Sequence, residues 1–118
     1  MSDMDYIYKI KVTRVIDGDT VDAVVDLGFD TFVNKRIRLY GINAPETRTR
    51  DKQEKERGFA SKERLSQIID EQHGVLYLKS MDKGKYGRCI GVLFEGNFDD
   101  ESINDMLVNE GHADPYDE

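Results

Sequence analysis

One long helical segment stands between two groups of short strands, and this order restricts the folds open to the chain. Residues 51–70 are rich in Gln, Glu, Lys and Arg. Their narrow stripe of Ser61, Leu65, Ile68 and Ile69 is suited to face a core. Five strands with a helix between the third and fourth form the order of an OB-fold, a small Greek-key barrel. The sequence therefore predicts an α+β fold: a five-stranded Greek-key β-barrel with that helix between strands 3 and 4 and a short C-terminal helix.

The strands are inferred from alternating apolar and polar residues and from turn signals between them. Asp17-Gly18 is a turn signal that joins the first two strands into an antiparallel pair. In the third strand, Ile37 and Leu39 face one side and Arg38 faces the other. The predicted strands cover residues 8–13, 20–26, 32–40, 75–80 and 86–94, and the short helix runs from a capping box at 102–105 through Val108.

The length of 118 residues predicts a single domain spanning residues 1–118. No stretch is apolar and long enough to cross a bilayer, and the start shows no secretory signal. We therefore expect a cytoplasmic monomer with no membrane partner. Cys89 is the lone cysteine, cannot form an internal disulfide, and is interpreted as a small core residue of a strand.

The charge is distributed unevenly, although the net charge is −7. Residues 35–64 carry ten Lys or Arg against five Asp or Glu, whereas residues 99–118 carry eight acids and no Lys or Arg. Without that acidic segment the remainder is about +1, since −7 plus 8 is +1. The basic run is either a face for nucleic acid or an ordinary solvated surface.

Three segments carry the residue types that phosphodiester cleavage needs. They read Val-Ile-Asp-Gly-Asp-Thr (15–20), Arg-Leu-Tyr-Gly-Ile-Asn-Ala-Pro-Glu (38–46) and Tyr-Gly-Arg (86–88). Asp19 offers an oxygen ligand for a hard cation, Glu46 could activate water, and Arg38 and Arg88 could hold a phosphate. Each residue alone has an ordinary alternative: a turn-forming Asp, a helix-start acid or a surface ion pair. The combination indicates a hydrolytic site.

These segments, with Lys85 added to the third, resemble the motifs of the staphylococcal nuclease family. The resemblance runs from about residue 8 to residue 113. It implies a Ca²⁺-dependent nuclease that hydrolyses DNA or RNA by attack of water and leaves 3′-phosphates. The implied site consists of Asp19, Asn43 and the Ala44 backbone carbonyl for the metal, Arg38, Glu46 and Arg88 for catalysis, and Lys85 and Tyr86 for the substrate.

Asn43 departs from the family pattern, which usually has an aspartate there as a second metal carboxylate. An amide oxygen can still coordinate a hard cation but brings no charge, so we expect weaker metal binding. Alternatively, Asn43 is a loop residue that caps its own turn. Asp17 is interpreted as structural. Tyr116 lies near the nucleotide-contacting tyrosines of the family, but Pro115 and the acids around it break the pattern, so no role is transferred to it.

Two other functions stay open at this stage. The chain could be a non-catalytic module of the same family that binds nucleic acid or protein, and Asn43 and the acidic segment favour that interpretation. The acidic residues in 99–118 could also imitate a nucleic-acid strand and cover the basic face.

Overall fold

The computed structural model of the protein describes residues 6–81, 89–96 and 100–116. The elements are β1 (Tyr6–Asp17), β2 (Thr20–Asp26), β3 (Phe32–Leu39), β4 (Ile42–Asn43), α1 (Lys52–Glu71), β5 (Val75–Ser80), β6 (Cys89–Phe94), α2 (Ile103–Asn109) and β7 (Asp114–Pro115).

Five strands close into a barrel in the order β1-β2-β3-β6-β5. The β3–β6 pair is parallel, and the other four pairs are antiparallel. Because α1 separates the third and fourth barrel strands and α2 follows the fifth, the predicted OB-fold is confirmed.

The barrel interior and one face of α1 share a single apolar core. Along β2 the buried residues alternate with half-buried ones, as expected for a strand with one face inward. The predicted helix stripe is confirmed, since Ser61, Leu65, Ile68 and Ile69 are all buried. Each fully buried Leu or Ile contributes about 1.5–3 kcal/mol relative to exposure, so this stripe fixes α1 on the barrel.

The third strand has the predicted two-sidedness. Ile37 and Leu39 are fully buried, whereas Arg38 points to the opposite side and is partly exposed. The strand ends at Leu39, one residue earlier than predicted, and Gly41 adopts a positive φ of 77°. That left-handed turn, which glycine adopts without a steric penalty, directs the chain into β4.

The β4–β7 ladder was not predicted. Residues 41–50 lie outside the predicted strands, but Ile42 pairs with Pro115 and Asn43 with Asp114 in an antiparallel two-residue ladder. The Tyr116 N–H donates to the Gly41 carbonyl and extends this pairing. Segments this short carry no periodicity, so their pairing follows from the tertiary fold.

Capping side chains define where both helices begin. The Asp51 carboxylate accepts hydrogen bonds from the Gln53 and Glu54 N–H groups at the start of α1. The Ser102 hydroxyl accepts one from the Asp105 N–H at 3.1 Å, which confirms the predicted helix start. In the part of the chain that the structure describes, neither helix is both long and apolar enough to cross a membrane.

Asn104 connects α2 to β6 and to the turn after β3. Its amide nitrogen donates to the carbonyls of Tyr40 (2.8 Å) and Gly91 (3.2 Å), and its oxygen accepts from the Leu93 N–H. The side chain is buried, so these hydrogen bonds are shielded from water. Asn104 therefore fixes the backbone where β3 ends and the 41–46 segment begins.

A bidentate ion pair joins the two helices. Arg64 of α1 donates to both carboxylate oxygens of Glu110, with N–O distances of 2.6 and 3.0 Å. The hydrogen bond from Arg64 lowers the pKa of Glu110 below its ordinary value. The folded state therefore binds this proton more weakly than the unfolded chain does.

We expect this ion pair to contribute to stability only above the acidic range. A depressed folded-state pKa gives stability that is complete above the unfolded value, near 4.5, and is lost as the pH falls through the folded value. Glu110 is partly exposed, so solvent screening limits the effect to about 0.5 kcal/mol. Glu110→Gln should lower the Tm slightly at pH 7 and leave it unchanged at pH 3. An equal loss at both pH values would contradict this assignment.

Candidate active site

Asp19 lies in a hairpin turn that is buried, whereas most turns are exposed. Gly18 and Asp19 connect β1 to β2, and Asp19 is only 7% exposed. Its Oδ1 accepts a hydrogen bond from the Thr20 hydroxyl at 2.9 Å, and its Oδ2 accepts one from the Ala44 N–H at 2.8 Å. These contacts hold the carboxylate in one orientation at the end of the barrel.

Arg38 joins Asp19 to Asn43. Its Nη1 lies 3.1 Å from Asp19 Oδ2, and its Nη2 donates to Asn43 Oδ1 at 3.3 Å. β3 places it there because Arg38 is paired with Thr20 in the β2–β3 ladder, next to the hairpin turn. The structure therefore brings Asp19 together with Arg38, Asn43 and Ala44, which follow it by 19 to 25 residues in the sequence.

Glu46 lies beside this group on a cavity of about 440 Å³. Asn43, Ala44, Glu46 and Asp114 are among the residues that line the cavity. Asp19 and Arg38 are not among the described residues that line it. Glu46 is exposed to solvent, so water has access to its carboxylate.

Gly58 of α1 allows the backbone that carries Glu46 to approach the helix. A Cβ atom at Gly58 would lie 2.5 Å from the Glu46 carbonyl oxygen and 2.9 Å from that of Pro45. One turn further along α1, the Ser61 hydroxyl donates to the His112 carbonyl at 2.7 Å. A Cβ at Gly18 would lie 2.1 Å from the Ser61 oxygen, so the hairpin turn also packs directly on α1. The helix thus positions both site segments.

We expect Gly58→Ala to destabilise the protein despite the higher helix propensity of alanine. The added methyl group would collide with backbone atoms, and overpacking of this kind costs about 1–3 kcal/mol. Alanine recovers about 1 kcal/mol in a helix interior, so a net loss of up to about 2 kcal/mol should appear in chemical denaturation. Gly96→Ala is the control for an added methyl group, because none of the described residues comes within 4 Å of its Cβ position. Equal stability of the two variants would show that the 45–46 segment is free to move.

Three predicted site residues, Lys85, Tyr86 and Arg88, lie outside the described residues, so their positions stay predictions. Asp17, interpreted as structural from the sequence, makes a side-chain contact outside its own turn. Its Oδ1 accepts a hydrogen bond from the Thr47 hydroxyl at 2.8 Å. Asp17 therefore ties the hairpin to the segment that follows Glu46.

The donor set agrees in kind with a hard cation. The Asp19 carboxylate and the Asn43 amide each present an oxygen to the Arg38 guanidinium, and hard cations such as calcium take carboxylate and amide oxygens as ligands. The Arg38 guanidinium stands between these oxygens as a positively charged group. Among the described residues, no group of three or more His, Cys, Asp or Glu is placed to hold a metal. The oxygens are therefore of the kind that a hard cation takes, and Asp19 is the single carboxylate of the predicted ligand set.

Comparison with known proteins establishes the family. The sequence profile described as "Staphylococcal nuclease homologue" matches residues 36–118, well over half of the chain. The chain belongs to the staphylococcal nuclease family. This membership confirms the resemblance inferred from the three motifs.

Named relatives show a similar degree of likeness. The chain is 30% identical to "Micrococcal nuclease" of Shigella flexneri over 115 residues, covering 92% of this chain and 59% of that protein. It is 34% identical to "Thermonuclease" of Staphylococcus intermedius over 102 residues, covering 86% and 56%. It is 29% identical to "Protein ParB" of Escherichia coli over 113 residues, covering 90% and 56%. The chain thus spans less than three fifths of the length of each of these relatives.

Tyr116 is a site neighbour to which the sequence pattern assigned no role. Its ring centroid lies 6.0 Å from Arg38 Cζ, at the limit of a cation–π contact. The signal that could have identified it is an aromatic residue near the tyrosines of the staphylococcal nuclease family. Pro115 concealed that signal because a proline breaks the family pattern, whereas here Pro115 is accommodated in the short β7 strand.

Proposed function

We propose that this chain is a Ca²⁺-dependent nuclease that hydrolyses phosphodiester bonds of DNA or RNA. Membership of the staphylococcal nuclease family and the names of two relatives support nucleic acid as the substrate class. The observation that carries the proposal is the Arg38 guanidinium held between Asp19 and Asn43, beside the cavity that Glu46 lines.

In this proposal Asp19, Asn43 and the Ala44 carbonyl would hold Ca²⁺. The chemistry that the ion supplies when bound is Lewis-acid polarisation of a phosphoryl oxygen. The Ala44 N–H already fixes Asp19 Oδ2, so this part of the site is ordered before substrate arrives.

Arg38 has the planar paired donors that match phosphate oxygens. Its guanidinium is partly exposed, so an incoming phosphate can exchange with the Asn43 oxygen as its acceptor. Arg88 is proposed to bind the same phosphate. Together they would neutralise the charge that develops on phosphorus during attack.

Glu46 is proposed as the general base that takes a proton from the attacking water. It is exposed and lines the cavity next to Asn43 and Ala44, so a water molecule can lie between it and the bound ester. Attack by that water would break the bond to the 5′ oxygen and leave a 3′-phosphate. Lys85 and Tyr86 are proposed to contact the nucleotide, and the monomeric state stays a prediction.

The test is cleavage of end-labelled single-stranded DNA and RNA by the purified chain with added Ca²⁺, compared with excess chelator. We expect calcium-dependent cutting and products whose 3′ ends accept no label until a phosphatase removes the 3′-phosphate. Absence of cutting at pH 8–9 with saturating Ca²⁺ would contradict the proposal.

Asn43 favours a second candidate, a module that binds nucleic acid without cutting it. Asn43 is a neutral ligand, and Arg38 already has hydrogen-bond and ionic partners within the protein. Both features are as compatible with a binding surface as with an active site. Asn43→Asp separates the two functions. If calcium affinity and cleavage rise together, the site is a working one of reduced charge, whereas no change in either favours the binding module.

A further inference from the structure

The antiparallel β4–β7 ladder places Asp114 directly opposite Asn43. Side chains of directly opposed residues project to the same face, with Cβ atoms about 4.5–5.5 Å apart. The neighbouring pair, Ile42 and Pro115, projects to the other face, where Ile42 is buried in the core. Asn43 and Asp114 are both exposed, so their common face is the outer one.

This outer face is the one on which Arg38 lies. Tyr116 follows Asp114 by two residues, so the two side chains project to the same face of the extended segment. Its ring lies 6.0 Å from Arg38 Cζ, and Arg38 Nη2 lies 3.3 Å from Asn43 Oδ1. Asp114 is the residue paired with Asn43 on this face, two residues before Tyr116. It also lines the cavity that Asn43 and Glu46 line.

The candidate cation site has little negative charge of its own. Asp19 brings one negative charge, Asn43 brings none, and the nearby Arg38 adds a positive charge. A divalent ion placed there would meet one carboxylate, although calcium affinity depends strongly on the number of charged ligands. A second carboxylate across the ladder from Asn43 would restore the balance.

We propose that Asp114 supplies the second carboxylate of the cation site, across the ladder from the uncharged Asn43. The inference rests on the proposed function and deepens it, because it names a residue that tunes the same site. Ion binding then depends on β7 as well as on the 38–46 segment. The acidic segment at the end of the chain thereby acquires a specific part in the site.

The test is calorimetric titration of the full chain with Ca²⁺ in the absence of nucleic acid. Asp114→Asn should weaken binding about tenfold or more, because it removes one carboxylate and changes almost no volume. The exchange variant Asn43→Asp/Asp114→Asn should restore the affinity to within about threefold of the parent, since the charge returns to the opposite position on the ladder.

Asp30→Asn is the matched control. It removes the same charge at the opposite end of the β2–β3 hairpin, where Asp26 pairs with Phe32, whereas Thr20 pairs with Arg38 at the site. Its calcium affinity should equal that of the parent. Melting curves of all variants verify that they are folded.

Unchanged calcium affinity in Asp114→Asn would overturn the inference. The inference would also be overturned if the exchange variant bound calcium as weakly as Asp114→Asn, because the loss of affinity would then not depend on which side of the ladder carries the charge. If the parent binds calcium and cuts nucleic acid while Asp114→Asn does both equally well, the inference fails and the proposed function stands. A parent chain that neither binds calcium nor cuts would overturn both.

Discussion

Glu46→Gln is expected to lower the turnover number by about 100- to 10,000-fold, the usual contribution of a positioned general base. The amide keeps the size and hydrogen-bonding geometry of the side chain but cannot accept the proton of the attacking water. Glu46 is exposed, and its backbone is held by packing against Gly58. The variant should therefore fold with an unchanged Tm and bind calcium nearly as the parent does.

Glu54→Gln is the control for this experiment. Glu54 lines the same cavity from the first turn of α1 and has no assigned role. Its turnover should stay within about threefold of the parent, because the same charge is removed without touching the proposed base. Equal rates for Glu46→Gln and the parent in single-turnover assays would show that another group activates the water.

Asp19→Asn is expected to remove most of the calcium affinity and with it the cleavage activity. The carboxylate is the one charged group of the predicted ligand set, and charged ligands dominate affinity for this ion. Asp19 also accepts hydrogen bonds from Thr20 and Ala44 and pairs with Arg38. Loss of the buried charge leaves Arg38 without its ionic partner, so we expect stability to fall by about 1–3 kcal/mol. Calorimetry with Ca²⁺ and chemical denaturation measure the two effects separately.

Asp17→Asn controls for charge and position on the same hairpin. Asp17 contacts the Thr47 hydroxyl, and an asparagine oxygen can accept the same hydrogen bond. Calcium affinity should therefore change by less than about threefold. A loss of calcium affinity as large as that of Asp19→Asn would mean that Asp17 also contributes to binding the ion.

The sequence predicts those parts of the fold that depend on local patterns. The alternation in β2 and β3 and the stripe on α1 arise from one-sided burial, so the inward faces of these elements follow from residue order alone. The parallel β3–β6 pairing and the β4–β7 ladder join segments far apart in the sequence. No local signal encodes such pairings, and the ladder in particular requires Pro115 at a position that usually interrupts strands.

In the candidate site, too, the residue identities follow from local motifs, whereas their contacts depend on the tertiary fold. Family motifs identified Asp19, Arg38 and Asn43, and the structure brings them into contact. The contact of Arg38 with Asn43 could not be inferred, because it depends on the turn at Gly41 and on the anchoring of Tyr40 by Asn104. The place of Asp114 opposite Asn43 and that of Tyr116 beside Arg38 follow from the chain path through β7, which the sequence pattern did not predict.

Calorimetric titration of the chain with Ca²⁺, with and without a nucleoside bisphosphate, tests the central claim most directly. A phosphate that draws the Arg38 donors away from Asn43 and Asp19 should free their oxygens for the ion. We therefore expect calcium to bind in both titrations and about tenfold more tightly when the bisphosphate is present, with the reciprocal effect on bisphosphate affinity. Failure of calcium to bind in either titration, by a chain whose melting curve shows it to be folded, would contradict the account.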